Sequence, residues 1–294
     1  MSTDIILWSR RDLIGAVALA LAGSPAAAAD SLEGLEQRHG IRLGAMMRAA
    51  DGRVVMAHRA DERFLFCSTF KVFLAAALFR KARTQPGLMD RRIAMGGIPK
   101  VGNSPVTGSL PAGSMLSVRE LCAAVVEYSD NIAANHLLSV AGGPKAVTQV
   151  FRDLGDRVSR LDRIEPALNT GSPADLRDTT TPSAITASLG GLLLGNGYLD
   201  WKDRQQLLGW MAQERNGTRR IRAGMPAGWT VSNKPGTNMT GAVNDIAVVR
   251  TPNGKAFLLA VYVDSPSADI AGNEAIIART AHMGAVAATR TASR

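Results

Sequence analysis

Ser68-Thr69-Phe70-Lys71-Val72-Phe73-Leu74-Ala75-Ala76-Ala77-Leu78-Phe79-Arg80-Lys81 begins with two reactive side chains and then turns apolar almost all round. A helix that is apolar on every side leaves no face for water, so it must lie inside a core. The stretch predicts a buried helix over 68–81, and the rest of the chain must cover it. Ser68 and Lys71 are three residues apart, which puts them on one face of such a helix.

Working outward, strands lie at both ends of the chain. Residues 41–49 and 53–59 are β-like, and Asp51-Gly52 between them predicts a hairpin. Residues 228–234, 242–250 and 256–264 are also β-like, with a turn at Pro252-Asn253-Gly254. Between these ends the pattern is helical. Ser117 and Glu120 have the spacing of a capping box, so a helix starts near 118. Further helices are expected at 131–140, ending at Gly142-Gly143, then after Pro144, and at 182–194 and 200–213. A helix opens the fold at 31–37 and another closes it at 270–288. Residues 95–114 and 156–181 are rich in turn formers, and so long a stretch as the second is usually functional or disordered. No internal repeat is present. The order predicts an α/β (α+β) fold: an antiparallel five-stranded sheet flanked by helices, with an all-helical lobe inserted. The expected boundaries are about 30–62 and 214–294 for the α/β lobe and about 63–213 for the helical one. The cleft between lobes is the expected site.

The chain has 294 residues, 46% hydrophobic and 20% charged, values that exclude a disordered or coiled-coil protein. Its 34 Lys and Arg exceed its 25 Asp and Glu, a formal charge of +9. The basic residues are scattered and only 5% of residues are aromatic, so neither a phosphate track nor a stacking platform for nucleic acid is legible. The positive charge suits an anionic small substrate.

Arg10-Arg11, the apolar run Ile14 to Ala22 and the small residues Ala26 to Ala29 have the layout of a secretory signal. Paired arginines before the apolar run are of the twin-arginine type. Cleavage is expected after Ala29, giving a soluble periplasmic protein with no membrane attachment. Cys67 and Cys122 form no disulfide framework, and His39, His58, His136 and His282 are isolated. No metal site, no cofactor and no Gly-x-Ser-x-Gly elbow is implied.

Ser-x-x-Lys alone reads equally as a capped helix with a surface lysine. Three further motifs stand in order behind it: Ser129-Asp130-Asn131, Glu165 within Arg163-Ile164-Glu165-Pro166-Ala167-Leu168-Asn169, and Lys234-Pro235-Gly236-Thr237. With these the sequence resembles the class A serine β-lactamases over about residues 31–290.

The resemblance implies roles by position. Ser68 corresponds to the acylated nucleophile, and Lys71, Glu165 or both to its base. Glu165 with Asn169 corresponds to the pair that holds the hydrolytic water. Ser129 would pass a proton to the β-lactam nitrogen, and Asn131 would bind the acylamino side chain. Lys234, Gly236, Thr237 and Arg220 fall in the substrate-binding strand and carboxylate grip. The backbone N–H groups of Ser68 and Thr237 correspond to the oxyanion hole. Arg163 and Asp178 would pair across the long loop, and Asn135 would tie it down. From its residues alone Arg219-Arg220-Ile221-Arg222 also reads as a solvated basic face.

The chain departs from the family pattern at several positions. Pro235 replaces the usual threonine, removing a hydroxyl and a strand N–H. Asn103 stands where an aromatic residue often walls the cleft, which predicts a more open mouth. The family's disulfide partners fall at Asn238 for Cys67 and at Ala75 for Cys122, so both thiols are expected reduced and buried. The resemblance implies a monomer acting on β-lactam antibiotics. Its alternative is a penicillin-binding D,D-peptidase or penicillin sensor that acylates without fast turnover, against which Glu165 speaks. A non-catalytic protein binding anionic envelope polymers is a third reading.

Overall fold

The structure, a computed structural model, describes residues 31–95, 101–172 and 174–292. The expected leader, residues 1–29, lies outside them. Residues up to Gly40 form one unit, whose described part is helix α1 (Leu32–His39). Ser31 Oγ caps it by accepting from Gly34 N–H, and Gly40 ends it in the left-handed conformation at φ 58°.

The second unit, from Ile41 onward, holds everything below. β1 (Arg42–Ala49) and β2 (Val54–His58) form the expected hairpin, with Gly52 at φ 90° in its turn. β3 (Phe64–Leu65) leads into a 3₁₀ turn at Cys67–Phe70, and α2 runs over Lys71–Ala82. β4 (Arg92–Ala94) pairs with β5 (Met115–Ser117), and α3 (Val118–Glu127) follows behind the Ser117–Glu120 capping box. Next come α4 (Asn131–Ala141), α5 (Pro144–Asp153), β6 (Thr179–Thr180), α6 (Pro182–Leu193), α7 (Trp201–Ala212) and the short α8 (Ile221–Gly224). The chain closes with β7 (Thr230–Thr237), β8 (Ala242–Arg250), β9 (Ala256–Asp264) and α9 (Ile270–Ala292). The main sheet is five-stranded and antiparallel, in the order β2-β1-β9-β8-β7.

The apolar stretch behaves as its composition requires. Val72 to Ala76 are fully buried, and Phe73 and Phe79 pack against Phe151 and Trp210 at ring separations of 4.5 and 5.6 Å. Each such side chain contributes about 1.5–3 kcal/mol of burial. A helix this well clamped is a rigid base for the residues at its N-terminus.

The structure departs from expectation in four places. The helix over 68–81 is a 3₁₀ turn up to Phe70 and α-helical only from Lys71, because Cys67 turns the chain through φ 45° just before it. The strand expected over 228–234 runs on to Thr237. β7 lies at the sheet edge, where a proline without an N–H is tolerated on the unpaired side. The two- and three-residue strands β3 to β6 are too short to show a period, and so is α8. α9 continues past the expected end at 288.

Candidate active site

The site grows from the N-terminal end of α2. Ser68 is half-buried in the 3₁₀ turn, with Lys71 fully buried behind it. Lys71 Nζ donates to Ser68 Oγ at 3.0 Å, Ser129 O at 2.8 Å and Asn131 Oδ1 at 2.5 Å. Ser129 Oγ is 3.4 Å away, and Glu165 Oε1 is 3.1 Å away. These are more oxygens than the three N–H bonds of an ammonium can serve. Glu165 Oε1 is the one carboxylate among them, and it forms a fully buried ion pair with the lysine. Burial pushes the Lys71 pKa down, while Glu165 opposes it. A buried lysine beside a serine hydroxyl and a carboxylate is placed to exchange a proton with either.

The turn Ser129-Asp130-Asn131 is held from below. Asp130 is fully buried; its Oδ1 accepts from Ala133 N–H and Thr107 Oγ1, capping α4, and its Oδ2 accepts from the N–H groups of Val106 and Thr107. Ser129 can thus sit at φ 59°, a conformation that is costly for a non-glycine residue unless its surroundings enforce it.

The long loop is pinned at both ends. Arg163 Nε donates to Asp178 Oδ2 at 2.5 Å, and Asp178 Oδ1 accepts from the N–H groups of Asp162 and Arg163. Asn135 holds the loop centre through both amide atoms, to Glu165 O at 2.9 Å and from Glu165 N–H at 3.0 Å. Glu165 is 2% exposed, and Asn169 Nδ2 donates to its Oε2 at 2.6 Å. Asn169 Oδ1 is buried without a donor.

β7 forms the opposite wall. A Cβ on Gly236 would lie 2.8 Å from Phe66 O and 3.0 Å from Ser68 N, so only glycine lets the strand approach the nucleophile's backbone. Lys234 is fully buried, with Nζ donating to Pro235 O at 3.2 Å. Burial lowers its pKa to about 7, against the pull of Glu214. Arg220 is 3% exposed, so it is no solvated face. Its guanidinium bonds Gly236 O and Asn244 O at 2.8 Å each, Thr237 Oγ1 at 2.6 Å and Glu274 Oε1 at 3.1 Å. Cys67 and Cys122 are buried and free, as expected. These elements enclose a cleft of about 530 Å³, with Ser68, Ser129, Asn131, Asn169, Arg220 and Thr237 in its wall.

The expected residues thus converge from four separated segments. Sequence reasoning missed Glu274 behind Arg220, and Asn238, whose Nδ2 donates to Asn169 O at 3.0 Å. It also missed the contact made by Asn103, which donates from Nδ2 to Ser129 O at 3.0 Å. None of the three has a local signal, since each acts on a residue distant in sequence.

Comparison with known proteins decides the family. The profile of the Beta-lactamase enzyme family matches residues 27–284. The carbapenem-hydrolyzing β-lactamase KPC of Klebsiella oxytoca is 41% identical over 284 residues, covering 94% of this chain and 96% of that protein. The chain belongs to the class A β-lactamase family. The β-lactamase OXY-1 of the same organism is 40% identical, with 93% of this chain and 96% of that protein covered. Among solved structures, the class A β-lactamase reconstructed as the last common ancestor of Gram-negative bacteria superposes with a TM-score of 0.83. It is 46% identical, covering 90% of this chain and 99% of that one. This class A β-lactamase therefore shares its relatives' fold along nearly its whole length.

Proposed function

We propose that this chain hydrolyses the β-lactam ring of antibiotics, conferring resistance, with Ser68 as nucleophile and Glu165 as the base that frees it again. The observation that carries the reading is Lys71 Nζ within 3.1 Å of both Ser68 Oγ and Glu165 Oε1. A proton leaving Ser68 passes to Lys71, with Glu165 as the second member of one proton-holding unit. Ser68 Oγ then bonds the lactam carbonyl carbon, and the C–N bond breaks. Ser129, next to Lys71, delivers the proton to the departing nitrogen. The N–H groups of Ser68 and Thr237 face the developing oxyanion.

An acyl-serine is stable without a second base. Asn169 Nδ2 bonds Glu165 Oε2 at 2.6 Å, and Asn169 Oδ1 is a buried acceptor without a donor, so the two side chains together are suited to hold one water. Glu165 takes a proton from that water as it attacks the ester, and gives that proton up to Ser68 Oγ as the ester C–O bond breaks. This supports a hydrolase over a D,D-peptidase or sensor that stays acylated. Asn131 binds the acylamino side chain, and Lys234, Gly236, Thr237 and Arg220 form the carboxylate side of the cleft. The same reading takes residues 1–29 as a twin-arginine leader. It takes 30–294 as the exported, periplasmic and monomeric enzyme, with the two lobes named above.

Glu165→Gln tests the reading, because it keeps the side chain's volume and removes its basicity. Mass spectrometry after benzylpenicillin should show an adduct persisting on Ser68, with turnover lowered about 10²–10⁴-fold. Ser68→Ala should show no adduct. Wild-type turnover by either variant would refute the assignment.

A further inference from the structure

Asn103 makes two bonds that its exposed position at the cleft mouth does not suggest. Its Nδ2 donates to Ser129 O at 3.0 Å, and its own carbonyl accepts from Asn131 N–H at 3.0 Å. One residue therefore grips the Ser129-Asp130-Asn131 turn on both sides. Ser129 O is also the acceptor for Lys71 Nζ at 2.8 Å. A carbonyl has two lone pairs, so both donors can be accommodated. With Asn103 holding one of them, the direction left for Lys71 is defined.

The backbone explains why this residue is asparagine. Asn103 lies at φ 55°, and Ser129, its partner, at φ 59°. Asparagine enters the left-handed region more readily than other non-glycine residues, and its short amide is the donor needed there. The adjoining residues tighten the same grip: Gly102 O accepts from Asn131 Nδ2 at 2.6 Å, and Ser104 Oγ accepts from Ile132 N–H at 3.1 Å. Position 103 is thus an anchoring point for the turn.

We infer that Asn103 is a positioning residue for acylation: it fixes the Ser129 carbonyl, and with it the geometry in which Lys71 and Ser129 hand a proton to the departing nitrogen. The inference rests on the roles assigned above to Ser68, Lys71 and Ser129. It concerns the step in which the C–N bond breaks and Ser129 gives up its proton. Deacylation, which depends on Glu165 and Asn169, should not sense it.

Asn103→Gly is the discriminating variant. Glycine keeps the left-handed backbone and the carbonyl bond to Asn131 and removes only the amide. Asn103→Asp keeps the shape but turns an acceptor toward the Ser129 carbonyl. Acylation and deacylation rate constants would be separated by stopped-flow hydrolysis of a chromogenic cephalosporin, with melting temperature as a control. Asn103→Gly should slow acylation about fivefold, the effect of one ordinary hydrogen bond. Asn103→Asp should slow it further, and both should deacylate at the parent rate. Unchanged acylation in both variants, or equal losses in acylation and deacylation, would overturn the inference. Ser129→Gly separates this from the underlying reading. If it acylates normally, the role of Ser129 is wrong. If it fails to acylate while the Asn103 variants acylate normally, only the positioning role falls.

Discussion

Pro235→Thr and Thr237→Val, made singly and together, test how the substrate carboxylate is held. Thr237 Oγ1 accepts from Arg220 Nη2 at 2.6 Å and lies in the cleft wall. An oxygen that accepts from a guanidinium keeps its own O–H for another acceptor. Arg220 thereby aims the Thr237 hydroxyl as a donor, while its own N–H groups are taken by Gly236, Asn244 and Glu274. Position 235 shares a strand face with 237 but has no hydroxyl to offer. A hydrogen bond to a charged group contributes about 1.5–3 kcal/mol, or roughly 10- to 100-fold in binding. Thr237→Val should lower kcat/KM for benzylpenicillin by about that factor. Pro235→Thr should raise it about tenfold, since β7 is an edge strand and the regained N–H meets no partner strand. In the double variant the loss at 237 should shrink by about 1 kcal/mol, because two hydroxyls would serve one carboxylate. The assay is initial-rate hydrolysis for all four proteins, with melting temperature to confirm folding. Effects additive to within about 0.5 kcal/mol would refute the shared role. So would a folded Pro235→Thr enzyme of lower kcat/KM, which would mean that the proline shapes the strand.

Two further outcomes follow from buried charge. Lys234, with its pKa lowered to about 7 by desolvation, is charged below that pH and loses its proton above it. kcat/KM for anionic β-lactams should therefore fall as pH rises through about 7, whereas in kcat the limb should lie higher because the bound anion favours the charged lysine. Lys234→Arg should remove the limb, since guanidinium stays charged; the same limb in that variant would assign it to another group. Asp178→Ala strips Arg163 and two N–H groups of their acceptor in a buried place, a loss of about 3 kcal/mol. The urea midpoint should drop and the acyl-enzyme should live longer as Glu165 loosens, and a parent-like midpoint and lifetime would show that the pair does not hold the loop.

Much of this protein was determined by sequence alone, wherever the signal is local. The buried α2 followed from an apolar run with no polar face, the β1–β2 hairpin from Asp51-Gly52, and the start of α3 from Ser117 and Glu120. Strands at both ends with helices between them implied the antiparallel sheet. The four motifs carried the resemblance to the class A β-lactamases, and the resemblance implied the chemistry. What only the tertiary structure decided depends on neighbours far apart in the chain. Pro235 reads as a strand breaker until β7 is placed at the sheet edge, where a proline is tolerated. Arg220 reads as a surface charge until Gly236, Asn244, Thr237 and Glu274 close round it. The anchoring contact of Asn103 has no local signal and shows only when its amide is placed on Ser129 O. Periodicity reports which face of an element is buried and nothing about what it is buried against. The proton-handling contacts of Lys71 reach 58 to 60 residues along the chain, to Ser129 and Asn131, and further still to Glu165, so only the packed core brings them within hydrogen-bond reach.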